Sequence, residues 1–400
     1  MIKILYIFHV SEIGGGSLCL LNLIKCLDTT KFIPIVLLKT KGPLVDEFES
    51  RGVSVFIEKS ISTIPYNQSL FRFRSIKLYW SMIVSLNRIR YWVEKTDADI
   101  VHINTMMMYP YAIPAFKLGR KVIVHMRENW PQNEHKIQFE FARYVINHFS
   151  SKIIAINKTS ANLLNIPNKT EIVYDWIDFE DRDGEIDLKK SYGVDIKKDK
   201  VFLFLGGTQL IKGAYEVVSV FSKDINKTNI KLLLLGADQI KYDNHGFVAF
   251  IKKILRSINM PVKGDCLKKI LQDEKQIIHI PRTKNVLSLY QQVYCVIAFP
   301  TIPHAILPIA ESIWNGTPII SADTLEAREY SNDGKAAILI PINNKVALKE
   351  AIIYAINNEN EIKELAMNGV DYIREKFDAK TNSKILDIIY SRLLMKANTK

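Results

Sequence analysis

Short apolar runs rich in β-branched residues alternate with helical stretches along the whole chain. Because each run is continuously apolar, it is typical of a strand in a parallel sheet that helices cover on both faces. Strands that alternate with helices form doubly wound α/β domains. The pattern occurs in both halves of the chain, which is more than one sheet normally holds, so two such domains are expected. The predicted strands are Ile2–Phe8, Ile33–Leu37, Val53–Ile57, Ile100–Ile103, Val122–His125, Ile153–Ile156, Ile172–Tyr174, Val201–Leu205, Leu232–Leu235, Ile277–Ile280, Val293–Ile297, Pro318–Ser321 and Ile338–Ile340.

The composition changes between the two halves. Residues 179–200 mix acidic and basic side chains without an apolar period, which indicates a linker. We therefore expect an N-terminal Rossmann-like domain over 1–178 and a C-terminal one over 201–380. A second polar stretch, 240–275, predicts a helical insertion. Residues 381–400 predict an amphipathic C-terminal helix whose docking site the sequence leaves open.

The composition places the chain among packed globular proteins. It has 400 residues, of which 48% are hydrophobic and 24% charged, and this excludes a disordered or fibrous protein. No apolar run approaches the roughly 18–20 residues that cross a bilayer. The run Ile2–Phe8 lacks the long apolar region and cleavage site of a signal peptide, so it is interpreted as a strand. The four cysteines lack metal or redox spacing, which favours reduced thiols and a cytoplasmic protein.

The charge balance adds a question about partners. Lys and Arg number 54 against 42 Asp and Glu, a formal net charge of +12. Such a surplus is compatible with nucleic acid, an anionic lipid surface or a phosphorylated substrate. The charge alone does not distinguish these three partners, so the sequence motifs are needed to decide between them.

A glycine-rich loop follows the first predicted strand. Gly14, Gly15 and Gly16 precede Ser17 and a predicted helix. Glycines let a ligand approach the backbone, and a helix N-terminus offers N–H groups to an anion. The alternative is an ordinary strand–helix turn in which Ser17 caps the helix. The dinucleotide fingerprint G-x-G-x-x-G does not fit the loop, which argues against a nicotinamide enzyme.

A similar loop opens the second half. Gly206 and Gly207 follow a predicted strand, and Lys212 and Gly213 precede a helix. A lysine beside a glycine turn at a helix start is a point charge suited to a diphosphate. The alternative is an ordinary surface lysine.

A proline-rich loop over 299–318 carries the densest set of candidate residues. The strand before it ends in this loop, and the helix after it places Glu311 about one turn from its start. A carboxylate there can accept two hydrogen bonds from a ribose diol. The alternative is a solvated helix glutamate.

Together these motifs resemble the retaining GT-B glycosyltransferases of family 4, in the family's order and along nearly the whole chain. The resemblance implies two facing Rossmann-like domains, with a nucleotide-diphosphate-sugar donor bound mostly by the C-terminal one. It also implies metal-independent transfer with retention, without a cofactor, to a glycan or lipid-linked glycan of a cell-envelope polysaccharide. The residues that carry it are Gly15, Gly16, Gly206, Lys212, Gly213, Pro300, Thr301, Glu311, Gly316, Thr317, Pro318, Asp333, Gly334 and Pro341.

The resemblance also implies roles for individual residues. Glu311 matches the second Glu of the Glu-x7-Glu motif, which binds the donor ribose, and Lys212 matches the basic residue at the diphosphate. His125, in the sequence His-Met-Arg-Glu, would lie near the donor sugar, although a hydrogen-bonded strand-end histidine is an equal alternative. The catalytic group is then His125, Lys212 and Glu311. The predicted donor-binding residues are Gly15, Gly16, Gly206, Gly207, Lys212, Thr283, Val286, Pro303, His304, Ile306, Leu307 and Glu311, of which Thr283 and Val286 bound the loop at the nucleobase.

Two positions depart from the family pattern. Pro303 stands where the first Glu of Glu-x7-Glu is expected, with His304 beside it, and Gly207 stands where an Arg is common. Some members carry a similar Pro-His segment. The departures keep a second hypothesis open, in which a GT-B scaffold binds a nucleotide sugar or a partner protein without catalysis.

One segment concentrates the positive charge. Residues 71–95 contain six Lys and Arg against one Glu, with six aromatics interleaved. As a helix, the segment would carry an apolar stripe and a basic face able to rest on an anionic membrane. An ordinary domain helix is an equal alternative, and no nucleic-acid-binding motif supports the third partner. The stripe comprises Ile76, Tyr79, Ile83, Leu86, Ile89 and Val93, and the predicted membrane or acceptor contacts are Arg72, Arg74, Trp80, Arg88, Arg90 and Trp92.

Metal binding is not predicted. Two Asp-x-Asp triplets occur, at Asp97/Asp99 and Asp181/Asp183, but the first lies just before a strand and the second in the charged linker. We interpret both as coincidence. The sequence thus predicts a cytoplasmic glycosyltransferase, peripheral on the inner face of the cell membrane.

Overall fold

The chain folds into two compact units. The computed structural model describes residues 1–65, 76–130, 135–177, 185–225, 228–236, 263–283, 285–303 and 306–395. The first unit comprises Met1–Trp176 together with Phe377–Lys400, and the second comprises Ile177–Lys376.

The first unit contains a parallel sheet of seven strands in the order β3-β2-β1-β4-β5-β6-β7. Every neighbouring pair is parallel, so the chain crosses over after each strand. The order reverses between β1 and β4. The strands are β1 Ile2–Phe8, β2 Phe32–Leu38, β3 Ser54–Ile57, β4 Ile100–Ile103, β5 Lys121–Met126, β6 Lys152–Ala155 and β7 Thr170–Ile172.

The second unit contains a parallel sheet of six strands in the order β10-β9-β8-β11-β12-β13. Its pairs are likewise parallel, and its order reverses between β8 and β11. The strands are β8 Lys200–Phe204, β9 Ile230–Leu235, β10 Ile277–Ile280, β11 Cys295–Ala298, β12 Ile319–Ala322 and β13 Ile338–Ile340.

Helices cover the sheets. In the first unit the α-helices are Gly15–Lys25, Pro43–Glu49, Ile76–Thr96, Ala112–Lys117, Lys136–Phe149, Lys158–Leu164 and Ala379–Met395, with a 3₁₀-helix at Met106–Tyr111. In the second unit they are Leu188–Tyr192, Ala214–Lys223, Lys263–Asp273, Val286–Gln292, Leu307–Trp314, Leu325–Tyr330, Lys345–Asn357, Glu359–Met367 and Val370–Lys376, with a 3₁₀-helix at Leu210–Lys212. Of the predicted insertion 240–275, residues 240–262 lie outside the described residues.

All the predicted strands are confirmed, with ends shifted by at most two residues. The central strands are buried on both faces because helices pack on either side; β1, for example, is buried from Ile4 to Phe8. A continuously apolar strand is stable only where both of its faces leave water. The fold class is therefore the predicted doubly wound α/β fold.

Two predictions about the chain between and after the sheets need correction. The predicted linker 179–200 is partly packed on the second unit, because the helix Leu188–Tyr192 buries Leu188 and Ser288 Oγ accepts a hydrogen bond from the N–H of Ile186. The predicted boundary at 380 is also late, since the second unit ends at Lys376.

The C-terminal helix Ala379–Met395 packs on the first unit. It buries Leu386, Ile389 and Tyr390, and the Tyr390 ring contacts Phe32 edge-on. The docking site that the sequence left open is therefore the core of the first unit.

Candidate functional site

The order of the second sheet brings two candidate residues together. Lys212 follows β8 and Glu311 follows β11, and the strand order reverses between these two neighbouring strands. At such a switch point, the loops leaving the two strands turn to opposite faces and leave a crevice at their carboxyl ends, where open α/β sheets bind ligands.

The loop after β8 approaches its neighbours too closely for a side chain. Gly213 has φ +86°, and a Cβ there would lie 2.0 Å from the carbonyl oxygen of Phe299. Gly207 has φ +54°, and its Cβ would lie 2.6 Å from the carbonyl oxygen of Gly236. Since only glycine tolerates both constraints, these positions hold the loop against the ends of β9 and β11. The N–H of Thr301 completes the contact by donating to the carbonyl of Ile211 over 2.9 Å.

Lys212 lies in an environment with one carboxylate and a second cation. Burial lowers the pKa of its ammonium, the nearby Glu311 carboxylate raises it, and the Arg282 guanidinium lowers it. Lys212 therefore interacts electrostatically with both Glu311 and Arg282. Two cations beside one carboxylate leave an excess of positive charge, which favours an anionic ligand.

Glu311 is held by a buried tyrosine. It is the fifth residue of the helix Leu307–Trp314, and its Oε2 accepts a 2.6 Å hydrogen bond from the hydroxyl of Tyr290. Burial raises the pKa of Glu311, whereas this hydrogen bond and the charge of Lys212 lower it. With Oε2 held, Oε1 can accept from the hydroxyl of a ligand.

Arg282 and Tyr290 were missed by the sequence analysis. Arg282 follows β10 directly, and the carboxyl ends of parallel strands share one edge of a sheet, so its position after a strand was a usable signal. Tyr290 gave no signal, because it belongs to the apolar side of the helix Val286–Gln292 and its partner Glu311 is 21 residues away.

The other predicted donor residues lie in the neighbouring loops. Ile306 is buried at the start of the helix Leu307–Trp314, while Pro303 is exposed. Val286 begins a helix, and the side-chain oxygen of Thr283 accepts from the N–H of Asn285 over 3.0 Å. His304 lies outside the described residues. The roles assigned to these residues stay predictions.

In the loop after β1, the residue that caps the helix is Gly14 and not Ser17. Gly14 is the N-cap residue, and Ser17 stands three positions later, with its hydroxyl accepting from the N–H of Gly14 over 2.8 Å. Gly15 and Gly16 are exposed, and a Cβ at Gly15 would meet nothing within 4 Å. Packing therefore does not require glycine at Gly15, and its role toward a ligand stays a prediction.

His125 is the penultimate residue of β5 and lies in a buried polar cluster. Its Nδ1 lies 3.1 Å from Nε2 of His102, and burial lowers the pKa of His125 well below its ordinary value, with Arg127 and His102 adding to the effect. Arg127 donates to both carboxylate oxygens of Asp175 and, over 3.0 Å, to Oδ1 of Asn104.

The same cluster contains buried side-chain nitrogens without a partner. Nε2 of His125, Nδ2 of Asn104 and Nη2 of Arg127 are buried and bond to nothing in the described part of the chain. Buried polar atoms are normally paired, so three orphaned nitrogens at one place make it a candidate contact for a polar ligand. The role of His125 at the donor sugar stays a prediction.

The helix Ile76–Thr96 confirms the predicted apolar stripe only in its C-terminal half. Ile89 and Val93 of the stripe are buried there, whereas Tyr79 and Ile83 are exposed and Met82 is buried in their place. Trp92 is 7% exposed and donates a 2.8 Å hydrogen bond to Oε2 of Glu58. Its assignment to a membrane contact was wrong, because its indole is inside the unit.

The remaining predicted contacts on that helix differ in how freely they face solvent. Trp80 is 69% exposed. Arg88 is paired with Glu58 over 2.8 Å, and Arg90 with Glu94 over 3.2 Å. Arg72 and Arg74 lie outside the described residues.

A second helix adds exposed apolar side chains. Ile137, Phe141 and Tyr144 lie on one side of the helix Lys136–Phe149, and Ile137 is 72% exposed. The Phe141 ring contacts the buried Tyr109 edge-on, at 6.3 Å between centroids, and Tyr109 in turn lies within electrostatic range of Tyr79. Both helices pack against the helix Ala112–Lys117. We call their exposed apolar residues the two-helix face: Tyr79, Trp80, Ile83, Val84, Ile137, Phe141 and Tyr144.

The described residues contain no group of three or more His, Cys, Asp and Glu placed to hold a metal ion. Of the Asp-x-Asp triplets, Asp97 pairs with Arg120 over 2.9 Å and Asp99 accepts from the N–H of Lys3 over 2.8 Å, while the other triplet lies outside the described residues. Within the described ranges, every helix is too short or too polar to cross a bilayer.

Solved structures of similar fold cover nearly the whole chain. Anabaena HepE in complex with UDP and glucose gives a TM-score of 0.74 at 17% identity, over 98% of this chain and 100% of HepE. HepE with UDP-glucose gives 0.72 at 18% identity, over 99% and 100%. Sucrose-phosphate synthase from Thermosynechococcus elongatus gives 0.70 at 12% identity, over 99% and 100%. The fold is GT-B. At these identities the similarity shows the fold alone.

A sequence family matches the second unit. Residues 188–372 match the family model described as glycosyl transferases group 1. The matched segment contains Lys212, Arg282, Tyr290 and Glu311. No curated protein matches the chain in sequence.

Proposed function

We propose that this protein transfers a sugar from a nucleoside-diphosphate sugar to a glycan or lipid-linked glycan, with retention of configuration. The arrangement of Lys212 and Glu311 at the switch point of the second sheet, with Arg282 in electrostatic contact with Lys212, carries the proposal. The family match over 188–372 supports it. HepE, of similar fold, is bound to UDP or UDP-glucose, which supports a UDP-sugar as the first donor to test.

The site supplies two kinds of recognition. Lys212 and Arg282 bind the diphosphate as cations, together with the N–H groups at the start of the helix Ala214–Lys223. Glu311 accepts from the ribose hydroxyls. Gly207 stands where an Arg is common in the family, and Arg282 provides the positive charge that such an Arg would supply. This departure from the family pattern therefore does not remove the diphosphate site.

Catalysis follows from stabilising the leaving group. As the bond between the anomeric carbon and the diphosphate breaks, negative charge grows on the diphosphate, where the fixed cations and amides stabilise it. The acceptor hydroxyl forms its bond to the anomeric carbon on the face from which the diphosphate leaves, and its proton passes to the departing phosphate. This scheme retains configuration and uses neither a metal ion nor a protein nucleophile.

The first experiment combines binding and turnover. Thermal-shift measurements with UDP-, GDP- and ADP-sugars identify the donor, because a ligand of the folded state raises its stability. Sugar release from that donor, with and without glycan acceptors, then tests activity. Donor binding with no release or transfer under any acceptor would support the alternative, a non-catalytic scaffold.

A variant pair tests the diphosphate site. Lys212→Ala removes a charge-assisted contact of about 1.5–3 kcal/mol, which corresponds to roughly a tenfold to hundredfold loss in kcat/KM. Lys223→Ala removes an exposed lysine eleven positions on and serves as the matched control, with unchanged kinetics expected. Unaltered donor kinetics in Lys212→Ala would remove the diphosphate assignment.

For the acceptor side, we propose that the two-helix face rests on an anionic membrane, where a lipid-linked glycan of the cell envelope is reached. Exposed aromatic side chains are suited to the headgroup region of a bilayer, and Lys77 and Lys136, exposed near the starts of the two helices, are suited to anionic lipid. The protein would then be peripheral on the cytoplasmic face.

Vesicle sedimentation tests this proposal without any activity assay. The wild type should sediment with phosphatidylcholine vesicles that contain phosphatidylglycerol and, because salt screens the lysines, less so as ionic strength rises. Trp80→Ser with Phe141→Ser should lose binding, whereas Leu325→Ser, which removes an equally exposed apolar side chain from the second unit, should not. Equal sedimentation of both variants would exclude the two-helix face as the contact.

A further inference from the structure

Four buried side chains of the first unit form one hydrogen-bonded chain that ends at His125. The hydroxyl of Tyr6 donates to the hydroxyl of Tyr390 over 3.1 Å, and Tyr390 lies 2.8 Å from Nδ1 of His102. Nε2 of His102 then lies 3.1 Å from Nδ1 of His125. Each of the four residues is at most 2% exposed. The chain thus connects the C-terminal helix with the end of β5.

All four groups are neutral near pH 7. Burial raises the pKa of both tyrosine hydroxyls. Burial and the charge of Arg127 lower the pKa of His102 to about 3, and they lower that of His125 in the same direction. Each of the four groups therefore carries one exchangeable proton. Three of these protons form the three hydrogen bonds of the chain, and the fourth remains available to a ligand.

The direction of the first bond sets the direction of the others. Since Tyr6 donates to Tyr390, the proton of Tyr390 is the one available for Nδ1 of His102. A neutral imidazole that accepts at Nδ1 carries its proton on Nε2, so His102 donates to Nδ1 of His125. His125 then accepts at Nδ1 and keeps its own proton on Nε2.

This nitrogen is one of the three orphaned donors of the cluster. Nε2 of His125 is buried without a partner among the described residues, as are Nδ2 of Asn104 and Nη2 of Arg127. With the proton on Nε2, all three atoms present N–H groups. A ligand that satisfies them must offer acceptor oxygens, as the hydroxyls of a sugar do.

We propose that His102 and Tyr390 are positioning residues that hold His125 in the tautomer with its proton on Nε2, so that it donates to a sugar oxygen. The inference about the ligand rests on the proposed function, but the tautomer does not. Because Tyr390 belongs to the C-terminal helix, that helix contributes to the site by keeping the proton of His125 on Nε2.

The tautomer is measured on the protein without substrate. In the ¹⁵N-histidine-labelled protein, the ring nitrogen signals of His125, assigned by comparison with His125→Asn, should show Nε2 protonated and Nδ1 unprotonated. A proton on Nδ1 in the wild type would overturn the proposal whatever the activity.

Two variants separate positioning from stability. Tyr390→Phe removes the donor to His102 and should convert the single tautomer of His125 into a mixture. Tyr109→Phe is the matched control, because it removes another buried hydroxyl of the same unit, one that bonds to no described residue, and it should leave the signals unchanged. A single unchanged tautomer in folded Tyr390→Phe would also overturn the proposal.

Once the sugar donor has been identified, the kinetics of Tyr390→Phe provide a further test. Partial loss of one neutral hydrogen bond to the sugar should lower kcat/KM about two- to tenfold in Tyr390→Phe, with nucleotide affinity unchanged, because UDP alone lacks the sugar. If the NMR signals show the expected tautomer but Tyr390→Phe leaves kcat/KM unchanged, the hydrogen-bonded chain is confirmed and a sugar is rejected as the ligand of His125.

Discussion

The hydroxyl of Tyr290 donates a 2.6 Å hydrogen bond to Oε2 of Glu311, and this bond joins two helices of the second unit at the predicted ribose contact. It orients the carboxylate and makes its charge less costly to bury. The pKa of Tyr290 is raised well above its ordinary value by burial and by Glu311, so the hydroxyl stays a donor across the working pH range.

We predict that donor affinity falls in acid and that Tyr290→Phe moves this fall to higher pH. A carboxyl accepts two ribose hydrogen bonds only when ionised, and burial raises the pKa of Glu311 while Tyr290 lowers it. Binding is therefore present above the pKa of Glu311 and is lost as pH falls through it, and removing the hydroxyl raises that pKa. Donor dissociation constants measured against pH test the shift. Tyr372→Phe, which removes a 2.7 Å bond to the carbonyl of Glu329, should leave the profile unchanged.

Two glycine substitutions should have opposite consequences. Gly213→Ala should destabilise the second unit by at least about 2 kcal/mol, because its φ is +86° and the new Cβ would meet the carbonyl of Phe299. Gly15→Ala should change stability by no more than about 0.5 kcal/mol, since the space around it is open. Urea unfolding measures both. If the donor approaches Gly15, that variant also loses donor affinity; unchanged affinity would remove Gly15 from the site.

Glu58 should make the stability of the first unit depend on acid pH. Burial alone would raise its pKa, but hydrogen bonds from Trp92, the N–H of Ser60 and Arg88 lower it to about 2. Its stabilisation is thus present above the unfolded pKa near 4.5 and is lost as pH falls toward 2, about 2–3 kcal/mol in all. The wild type should therefore lose most of its advantage in unfolding free energy over Glu58→Gln between pH 5 and pH 3, a decrease approaching the value of about 2–3 kcal/mol given above. A difference independent of pH would contradict the assignment.

The pair of Arg127 and Asp175 should contribute strongly to folding. Both side chains are largely buried, at 6% and 15% exposed, so Asp175→Asn leaves a buried guanidinium without its counter-charge. We expect a loss of about 3–5 kcal/mol in unfolding free energy. Glu94→Gln breaks the exposed pair with Arg90 and should cost less than about 0.5 kcal/mol. Similar losses in the two variants would mean that Arg127 is hydrated in the folded protein.

The sequence predicted much of the fold because the signal is local. Every strand was recognised from its apolar run, since a strand buried on both faces needs such a run wherever it lies. Lys212 was recognised from the glycine turn before a helix, and Glu311 from its place about one turn into the helix after the proline-rich loop. The positive φ of Gly207 and Gly213 could not be read from sequence, but the glycines themselves were visible.

What only the tertiary structure decided is which distant segments meet. Periodicity made Trp92 and Trp80 equal candidates for the surface, and Trp92 is buried because Glu58, from another loop, accepts its indole N–H. His102 lies 23 residues from His125 and is brought to it by the pairing of β4 with β5. Tyr390 lies 288 residues from His102 and is brought to it by the packing of the C-terminal helix on the first unit. A hydrogen bond needs a partner within about 3 Å, and for residues far apart in sequence that distance is set by packing.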